Sequence, residues 1–525
     1  MIRQILSWWR SLGGMGGIVR RGYSMAVGGR LTSGWRAVQS SADSELAWSL
    51  TKMRGRAREL VRNAGYAKRA KVIVVNNVIG AGVGMQAQVR NQRDRLLTAV
   101  NKDIERAWGM WSRAQSCHTG GKLHFSDLER LAMGQVFETG EIFIRKHYST
   151  FGDSKVPFAL EVIEPERIAD ELAGPAHVDP GHDVRMGVEV DAFHRPIAYW
   201  IRDKHPGDIR TTSYGIGKIE RVPADQIFHL YIVDRWPQVR GEPWLHTAAR
   251  RLNDMEGYSE AEIVAARSAA SYMGFIRTPD EQPLQPDAQE GSQRQIAFEP
   301  GMIEQLPPGY DFVGYSPNRP NPAMDPFMRL MLREVAAGVG VSYESLSRDY
   351  SQSNYSSSRL ALLDDRDLWR QLQMWWLRAF RLPLHEEWLR QAVLARAVSK
   401  ITLDAWVSDQ EKWSSVSFKP RGWQWVDPTK EVTALKEAVR AGFTTVSDVI
   451  ASTGGGRDFE DVMRERQSEL AAMREMGIAT DTEVVAPHDA PTVVETPPAE
   501  DVDDSNPAGG RLGVPPSVLP MRAKS

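Results

Sequence analysis

The sequence predicts an α+β protein. Three observations point there. Helical apolar periodicity dominates before residue 140 and again after residue 323. Short segments rich in β-branched and aromatic residues, separated by Pro, Gly and Asp, fill residues 141–233. An alanine-containing helical stretch with few apolar positions follows at 244–273. At 525 residues the chain is too long for one hydrophobic core, so roughly two to four packed units are expected.

Taken in order, residues 1–44 are rich in Gly, Arg and Ser, have no sustained period, and read as a basic arm. Helices are expected at 45–75, at 96–116 with Trp108 and Trp111, and at 126–139, where Ser126 and Glu129 have the spacing of a capping box. Strands follow at 141–148, 158–164, 188–191, 197–202 and 226–233. The two that flank Ala192, Phe193, His194 and Arg195 should form a hairpin.

Pro243 introduces the 244–273 helix, on the order of 40 Å long at 1.5 Å per residue. Its inner positions are Ala248, Leu252, Met255, Ala265, Ala266 and Ala269. Such a helix is weak alone and makes sense beside copies of itself. Residues 274–322 are irregular and Pro-rich, with strands at 274–277 and 311–315. A second helix spans 326–339, within a unit reaching 323–345.

The segment 346–358 has almost no apolar residues and is expected to be solvated or disordered. A long helix covers 359–398, within a segment to 415, with Leu368, Leu372 and Trp375 on one stripe and Trp369, Trp376 and Phe380 on the next; Pro383 should kink it. A strand is read at 416–426. Three helices then fill 427–478, with Asp427 and Pro428 opening the first, Gly442 closing it, Asp458 opening the third and Gly477 ending it. Residues 479–525 are acidic, Pro-rich and free of aromatics, which is the composition of a disordered tail.

Composition excludes several function classes. No run of about eighteen apolar residues exists, so no membrane helix is expected. The basic, amphipathic start at Met1 to Arg10 is too short and interrupted for a secretory signal. Cys117 is the only cysteine, which removes internal disulfides and Cys-rich zinc sites and fits a reducing cytoplasm. The formal net charge of −2 argues against tight static binding of nucleic acid, since that affinity comes from Lys and Arg displacing counterions. It permits a channel through which DNA slides. Seventeen tryptophans suit a chain with much surface to bury against neighbours.

Catalytic signatures fail on spacing. Gly80, Gly82 and Gly84 miss the dinucleotide fingerprint by one residue and read better as a glycine turn ending a helix. Gly120-Gly121-Lys122 and Gly217-Lys218 lack the earlier glycine and the Ser or Thr of a phosphate loop. His385-Glu386 begins like a zinc protease motif, but Leu389 stands where the second histidine belongs. Cys117, His118, His124 and Asp127 match no standard metal spacing. Asp364 and Asp365 could suggest a metal-dependent nuclease, yet adjacent helical residues point about 100° apart. No cofactor is expected and no catalytic residue is assigned.

The order of elements and a set of short motifs resemble the lambda-like family of bacteriophage portal proteins. Asn63 to Ala70 followed by Asn77 to Gly82 is similar to that family's early helix and glycine turn. Thr139-Gly140-Glu141-Ile142-Phe143 looks like its first strand, and Gly187 to Asp191 with Arg195 to Trp200 like its hairpin. Arg221 to Ala224 with Ile227 to Leu230, Gln238 to Trp244, and Trp423 to Pro428 with Lys430 and Glu431 resemble later junctions. The similarity covers about residues 45–478.

The resemblance implies a portal fold: a wing at 45–243 with return strand 416–426, stem helices at 244–273 and 323–345, a small α/β clip at 274–322, a tunnel loop at 346–358, a long kinked helix over the wing at 359–415, and a helical crown at 427–478. It implies a non-enzymatic ring of about twelve copies at one capsid vertex of a virion, assembled in the host cytoplasm, conducting double-stranded DNA. Its partners would be the large terminase subunit, a head-completion or adaptor protein, and the major capsid and scaffold proteins, with no membrane. Arg348, Ser351, Gln352, Ser353, Asn354, Tyr355 and Arg359 would face the DNA, the neutral side chains touching phosphates without trapping them. A metal-dependent nuclease or other DNA-processing enzyme is the alternative reading.

Overall fold

The computed structural model describes residues 39–93, 95–174, 178–208, 217–271, 274–277, 311–314, 321–423, 428–453 and 459–478. Most of the arm, most of the 274–322 segment, Asp427, Asp458 and the acidic tail lie outside the described residues. The chain divides into a large unit through Gly456 and a small one from Arg457; in the latter the described residues form one helix, Phe459–Glu475.

The first expected helix is two: α1 (Ala42–Asn63) and α2 (Gly65–Val78), broken where Ala64 is extended, with φ −89° and ψ 119°. α2 ends in a turn carrying Gly80 at φ 63° and Gly82 at φ 124°, as the glycines suggest. The chain then makes β1 (Gly84–Ala87), a strand that sequence reasoning misses because it is four residues long and starts inside the glycine turn. β1 pairs antiparallel with β11 (Val416–Lys419), the front of the expected 416–426 strand.

α3 (Thr98–Trp111) and a single turn, α4 (Ala114–Cys117), replace the expected 96–116 helix. α5 (Phe125–Thr139) is capped by His124, whose ring accepts from the Ser126 amide, rather than by Ser126. Glu129 therefore does not close a capping box. It is fully buried and turned toward the far end of the chain.

Two small sheets follow. The first has the order β3 (Ala159–Ile163), β2 (Glu141–His147), β8 (Ile227–Tyr231). The second has the order β4 (Asp183–Arg185), β5 (Val188–Val190), β6 (Pro196–Arg202), β7 (Ile219–Pro223). The expected hairpin is β5–β6, with Val188 opposite Tyr199. Alternation along β2 sorts its side chains into two cores. Ile142 and Ile144 join the main core with α2, α3, α5 and the late helices. Phe143 joins a second core with Val188, Val190, Tyr199, Ile201 and Val222. The three-stranded sheet is thus a middle layer, with helices on one side and the other sheet on the other.

Charge sits at the edge of that second core. Glu141 is fully buried and takes ionic contacts from Arg54, Arg240 and His229. Arg240, also fully buried, reaches Asp170 at 2.5 Å. His229 lies between the Phe143 ring, 4.1 Å away, and the Tyr231 ring, 4.3 Å away. Arg240 and then Arg54 outweigh burial and hold the Glu141 carboxyl far below its usual range. Glycine makes the approach possible. A Cβ on Gly241 would lie 2.1 Å from the Gly140 carbonyl oxygen, and Gly140 itself has φ 91°. Two motifs about a hundred residues apart in sequence, at 139–143 and 238–244, are therefore one structural feature.

Two helices project from this body. After the turn at Trp244–His246 comes α6 (Ala249–Ser271), and α7 (Met324–Val339) returns beside it. They are antiparallel: Thr247 Oγ1 donates to the Gly338 carbonyl, Arg251 pairs with Glu334 at 2.8 Å, Tyr258 meets Phe327, and Asn321 donates to Glu262. Among the described side chains of the pair, those buried lie at the ends near the body, Leu252 and Met255 on one helix and Leu332, Val335, Ala336 and Val339 on the other. Farther out, Ile263, Val264, Phe327 and Leu330 are exposed. The far ends lead to a two-stranded ladder of β9 (Gly274–Arg277) and β10 (Asp311–Gly314).

The long late helix is continuous in path but not in pitch. α9 (Tyr355–Trp376) passes through a π turn at Leu377–Arg381 into α10 (Leu382–Leu394), which stops short of the expected 398. Pro383 has no amide hydrogen and crowds the carbonyl four residues back, so the wide turn just before it absorbs the distortion. In that turn Arg381 is directed inward. Its Nε donates to Glu129 at 2.6 Å and its Nη2 to Glu129 at 2.7 Å, while Trp376 Nε1 donates to the same carboxylate at 3.0 Å. Short helices α11 (Leu403–Ser408) and α12 (Gln410–Trp413) precede β11; α13 (Pro428–Arg440) and α14 (Val446–Thr453) follow it.

Candidate functional site

The polar segment sits at the root of the projecting pair. Gly340, at φ 77°, ends α7, and Ser342 caps the five-residue helix α8 (Tyr343–Ser347). Both hydroxyls of Ser342 and Ser345 donate to Asp365 Oδ2, at 2.7 and 2.8 Å, and the Ser342 amide donates to Asp365 Oδ1 at 2.8 Å. Asp365 is buried and its oxygens are occupied, whereas Asp364 is exposed on another side of α9. The two adjacent carboxylates do not form a shared site.

The expected 346–358 loop is shorter and more ordered than the sequence suggests. Ser347 belongs to α8, and Tyr355 to Ser358 form the first turn of α9, so the connector is 348–354. Arg348 takes a left-handed conformation, φ 58°, and closes α8. Asp349 accepts from the Ser351 amide at 3.0 Å and the Tyr343 hydroxyl at 2.9 Å, and its own amide donates to Ser347. Hydrogen bonds from Ser351, then from Tyr343, with Arg329 nearby, hold its carboxyl down to about 2. Ser353 Oγ donates to the Tyr350 carbonyl. Asn354 and Ser357 cap each other reciprocally at the start of α9. The polar residues, expected to be solvated or disordered, are largely solvated and also satisfy each other and two helix ends.

Of the expected DNA-facing residues, Arg348, Ser351, Gln352 and Asn354 are exposed on this connector and Ser353 is half-buried. Tyr355 opens α9. Arg359 lies one turn into the helix and pairs with Glu431 of α13 at 3.1 Å, so its charge already has a partner. Arg69 was missed by sequence reasoning. Its Nε and Nη2 donate to the Ser345 carbonyl at 3.3 and 3.2 Å. Burial, then the nearby Arg348, lower its pKa. Together with Arg348 it lines a groove of about 470 Å³ that includes Tyr66, Met255, Met328 and Leu346. Neither arginine makes an ion pair among the described residues. The available signal was its place in the 63–70 motif.

The residues set aside as metal ligands on spacing have other uses. Cys117 is buried, its thiol against the Ser112 and Leu123 carbonyls, and His124 serves as a helix cap. The one carboxylate–histidine cluster found among the described residues, Glu164, Glu166 and His205, already holds a guanidinium, with Arg58 at 2.8 Å from Glu166 and 3.5 Å from Glu164.

The chain is thus an α+β protein whose layered body carries an outward helical pair with exposed apolar side chains and an ordered polar connector at its root. The sequence profile described as "Phage portal protein, lambda family" matches residues 28–373. The chain belongs to the lambda family of phage portal proteins. It is 30% identical, over 93% of both chains, to the "Probable portal protein" of Halomonas phage phiHAP-1. It is 22% identical to "Portal protein B" of Escherichia phage lambda, over 87% of this chain and 90% of that one. Among solved structures, a chain in the neck of an empty GTA particle is 17% identical, with a TM-score of 0.43, covering 80% of this chain and 95% of that one.

Proposed function

We propose that this chain is the ring subunit of a phage portal, a conduit at one capsid vertex through which double-stranded DNA is packaged and later ejected. Conducting DNA during packaging is the standard function of the family to which it belongs. The observation that carries the reading for this chain is the outward pair α6–α7. Ile263, Val264, Phe327 and Leu330 are exposed there, and a lateral copy of the same pair would cover them. A head-to-tail interface repeated around an axis closes into a ring, here of about twelve copies.

In this reading α6 and α7 are the stem, the 274–322 segment between them is the clip, the layered body is the wing, and residues 427–478 form the crown. The clip is where the large terminase subunit and then a head-completion or adaptor protein would dock. Major capsid and scaffold proteins would surround the wing, with assembly in the host cytoplasm. The connector 348–354 would face the channel. The two arginines in one groove, Arg69 and Arg348, support phosphate contact there, with Arg348 the exposed member. Arg359 contributes by holding α9 to α13.

Native mass measurement with electron imaging of the purified chain tests the proposal. The expected result is a closed ring of several hundred kilodaltons with an axial hole. A stable monomer, or DNA cleavage on addition of Mg²⁺ or Mn²⁺, overturns it.

A further inference from the structure

Three large aromatic side chains stand almost bare on one surface of the body. Trp48 is 91% exposed, Phe193 77% and Trp236 73%. Contacts between their neighbours link them. Trp48 lies one helical turn from Glu45, Glu45 pairs with Arg235 at 3.2 Å, and Trp236 follows Arg235. The Trp236 ring meets His194 edge-on at 6.1 Å, beside Phe193. Exposed tryptophans gathered in this way mark a surface that something covers.

The same surface carries a groove of about 210 Å³. Its floor includes Ala42, Leu46 and Met53, and its rim carries Glu45, Asp234 and Glu242 against the single cation Arg235. Burial, and then the neighbouring Asp234, push the Glu242 carboxyl up against the opposing pull of His246 and Arg235. An arginine fits both parts, its methylenes on the apolar floor and its guanidinium among the carboxylates.

Ser40 lies at this spot. Arg235 Nη2 donates to the Ser40 carbonyl at 3.0 Å, so the N-terminal arm leaves from the edge of the groove. Residues 1–38 contain Arg3, Arg10, Arg20, Arg21, Arg30 and Arg36, with no lysine and no acidic residue. Arg36 is four residues before Ser40, a reach of up to about 14 Å.

We propose that the chain's own arm docks here, with Arg36 in the acidic groove among Glu45, Asp234 and Glu242 and the Trp35 ring against Trp236. The arm then covers the aromatic surface of the subunit it belongs to, before any other protein meets that face.

Limited trypsin digestion of the full chain tests this, with cutting after Arg20 as the internal comparator. Cutting after Arg36 is expected at least tenfold slower than after Arg20. The double variant Asp234→Asn, Glu242→Gln should raise the Arg36 rate about tenfold and leave the Arg20 rate unchanged. Trp236→Ala, at a side chain that supports no core, should do the same and keeps the test valid if the double variant folds poorly. Equal rates at Arg36 and Arg20 in the unaltered chain overturn the proposal. So does protection that survives both variants. Protection that appears only in assembled rings, and vanishes in isolated subunits, assigns the groove to a neighbour's arm and overturns the own-chain assignment.

Discussion

Arg240 and Glu141 meet inside the protein with neither side chain touching solvent, Arg240 Nε standing 2.9 Å from Glu141 Oε1. The strand that begins with Glu141 and the lead-in to α6 are tied by this pair. Removing one partner leaves the other charge buried without compensation. Glu141→Ala, which leaves the two buried cations Arg240 and Arg54 to share the half-buried Asp170, should lower stability by about 3–5 kcal/mol. Chemical denaturation followed by tryptophan fluorescence measures it. A midpoint indistinguishable from the unaltered chain would show that Asp170 alone neutralises the pair.

The glycines that admit this contact should tolerate no side chain. Gly241→Ala places a methyl 2.1 Å from a backbone oxygen, and Gly140→Ala places one 2.3 Å from the Glu242 carbonyl carbon at positive φ. Both are expected to express poorly or to unfold at markedly lower temperature. Gly109→Ala, inside α3 with nothing within 4 Å, should gain roughly 0.5–1 kcal/mol instead. Thermal melts of the three variants decide this, and a harmless Gly241→Ala would contradict the packing described.

Stability should fall on acidification, in part through His385. Burial, and then Arg381 beside it, lower its pKa to about 3, against about 6.5 in the unfolded chain. The folded state therefore favours the neutral ring. Its contribution is complete above about pH 6.5 and is lost as the pH falls from there toward 3, by up to about 1.4 kcal/mol per pH unit. His385 Nδ1 has no hydrogen-bond partner, so His385→Leu should cost little at neutral pH. The variant's unfolding midpoint should fall less steeply between pH 7 and 5. Parallel curves would exclude His385 as a source of the slope. His229, also held below its ordinary value by burial, adds a dependence of the same sign, and Glu141 adds one below about pH 4.3.

The two arginines that bracket the polar segment should behave differently. Arg348→Ala, at an exposed position, is expected to leave melting unchanged within about 0.5 kcal/mol while lowering the yield of DNA-filled particles. Arg359→Ala should act through its ion pair, so that Glu431→Ala has a similar effect and the double variant is less than additive. Additive losses of packaging from Arg359→Ala and Glu431→Ala would return Arg359 to the DNA-facing set.

Much of this architecture was legible from residue order. Helix and strand existence followed from apolar period, and Gly442 and Gly477 stand at positive φ where helix ends were expected. What escaped were features decided by partners distant in sequence. Glu129 has the spacing of a capping box but pairs with Arg381, 252 positions away, and nothing local distinguishes the two uses. β1 was missed because it is defined by β11, more than three hundred residues later. The polar segment was read as solvated or disordered; it is largely solvated, and the self-capping was not visible because composition registers hydrophilicity alone, whereas Asn354 and Ser357 spend their side chains on a helix end. The ion-pair partner of Arg359 was not foreseen for the same reason, since Glu431 lies 72 positions on.

The antiparallel pair α6–α7 leaves and re-enters the body at nearly one point, where Thr247 touches Gly338. A load on the outer end therefore travels inward as tension in one helix and compression in the other. It arrives as a torque on a small patch gripped by Arg240 just before the first helix and by Asp365 just after the second. The pair stands like a lever with both feet on one plate, and the Arg348 connector begins one short helix beyond the second foot.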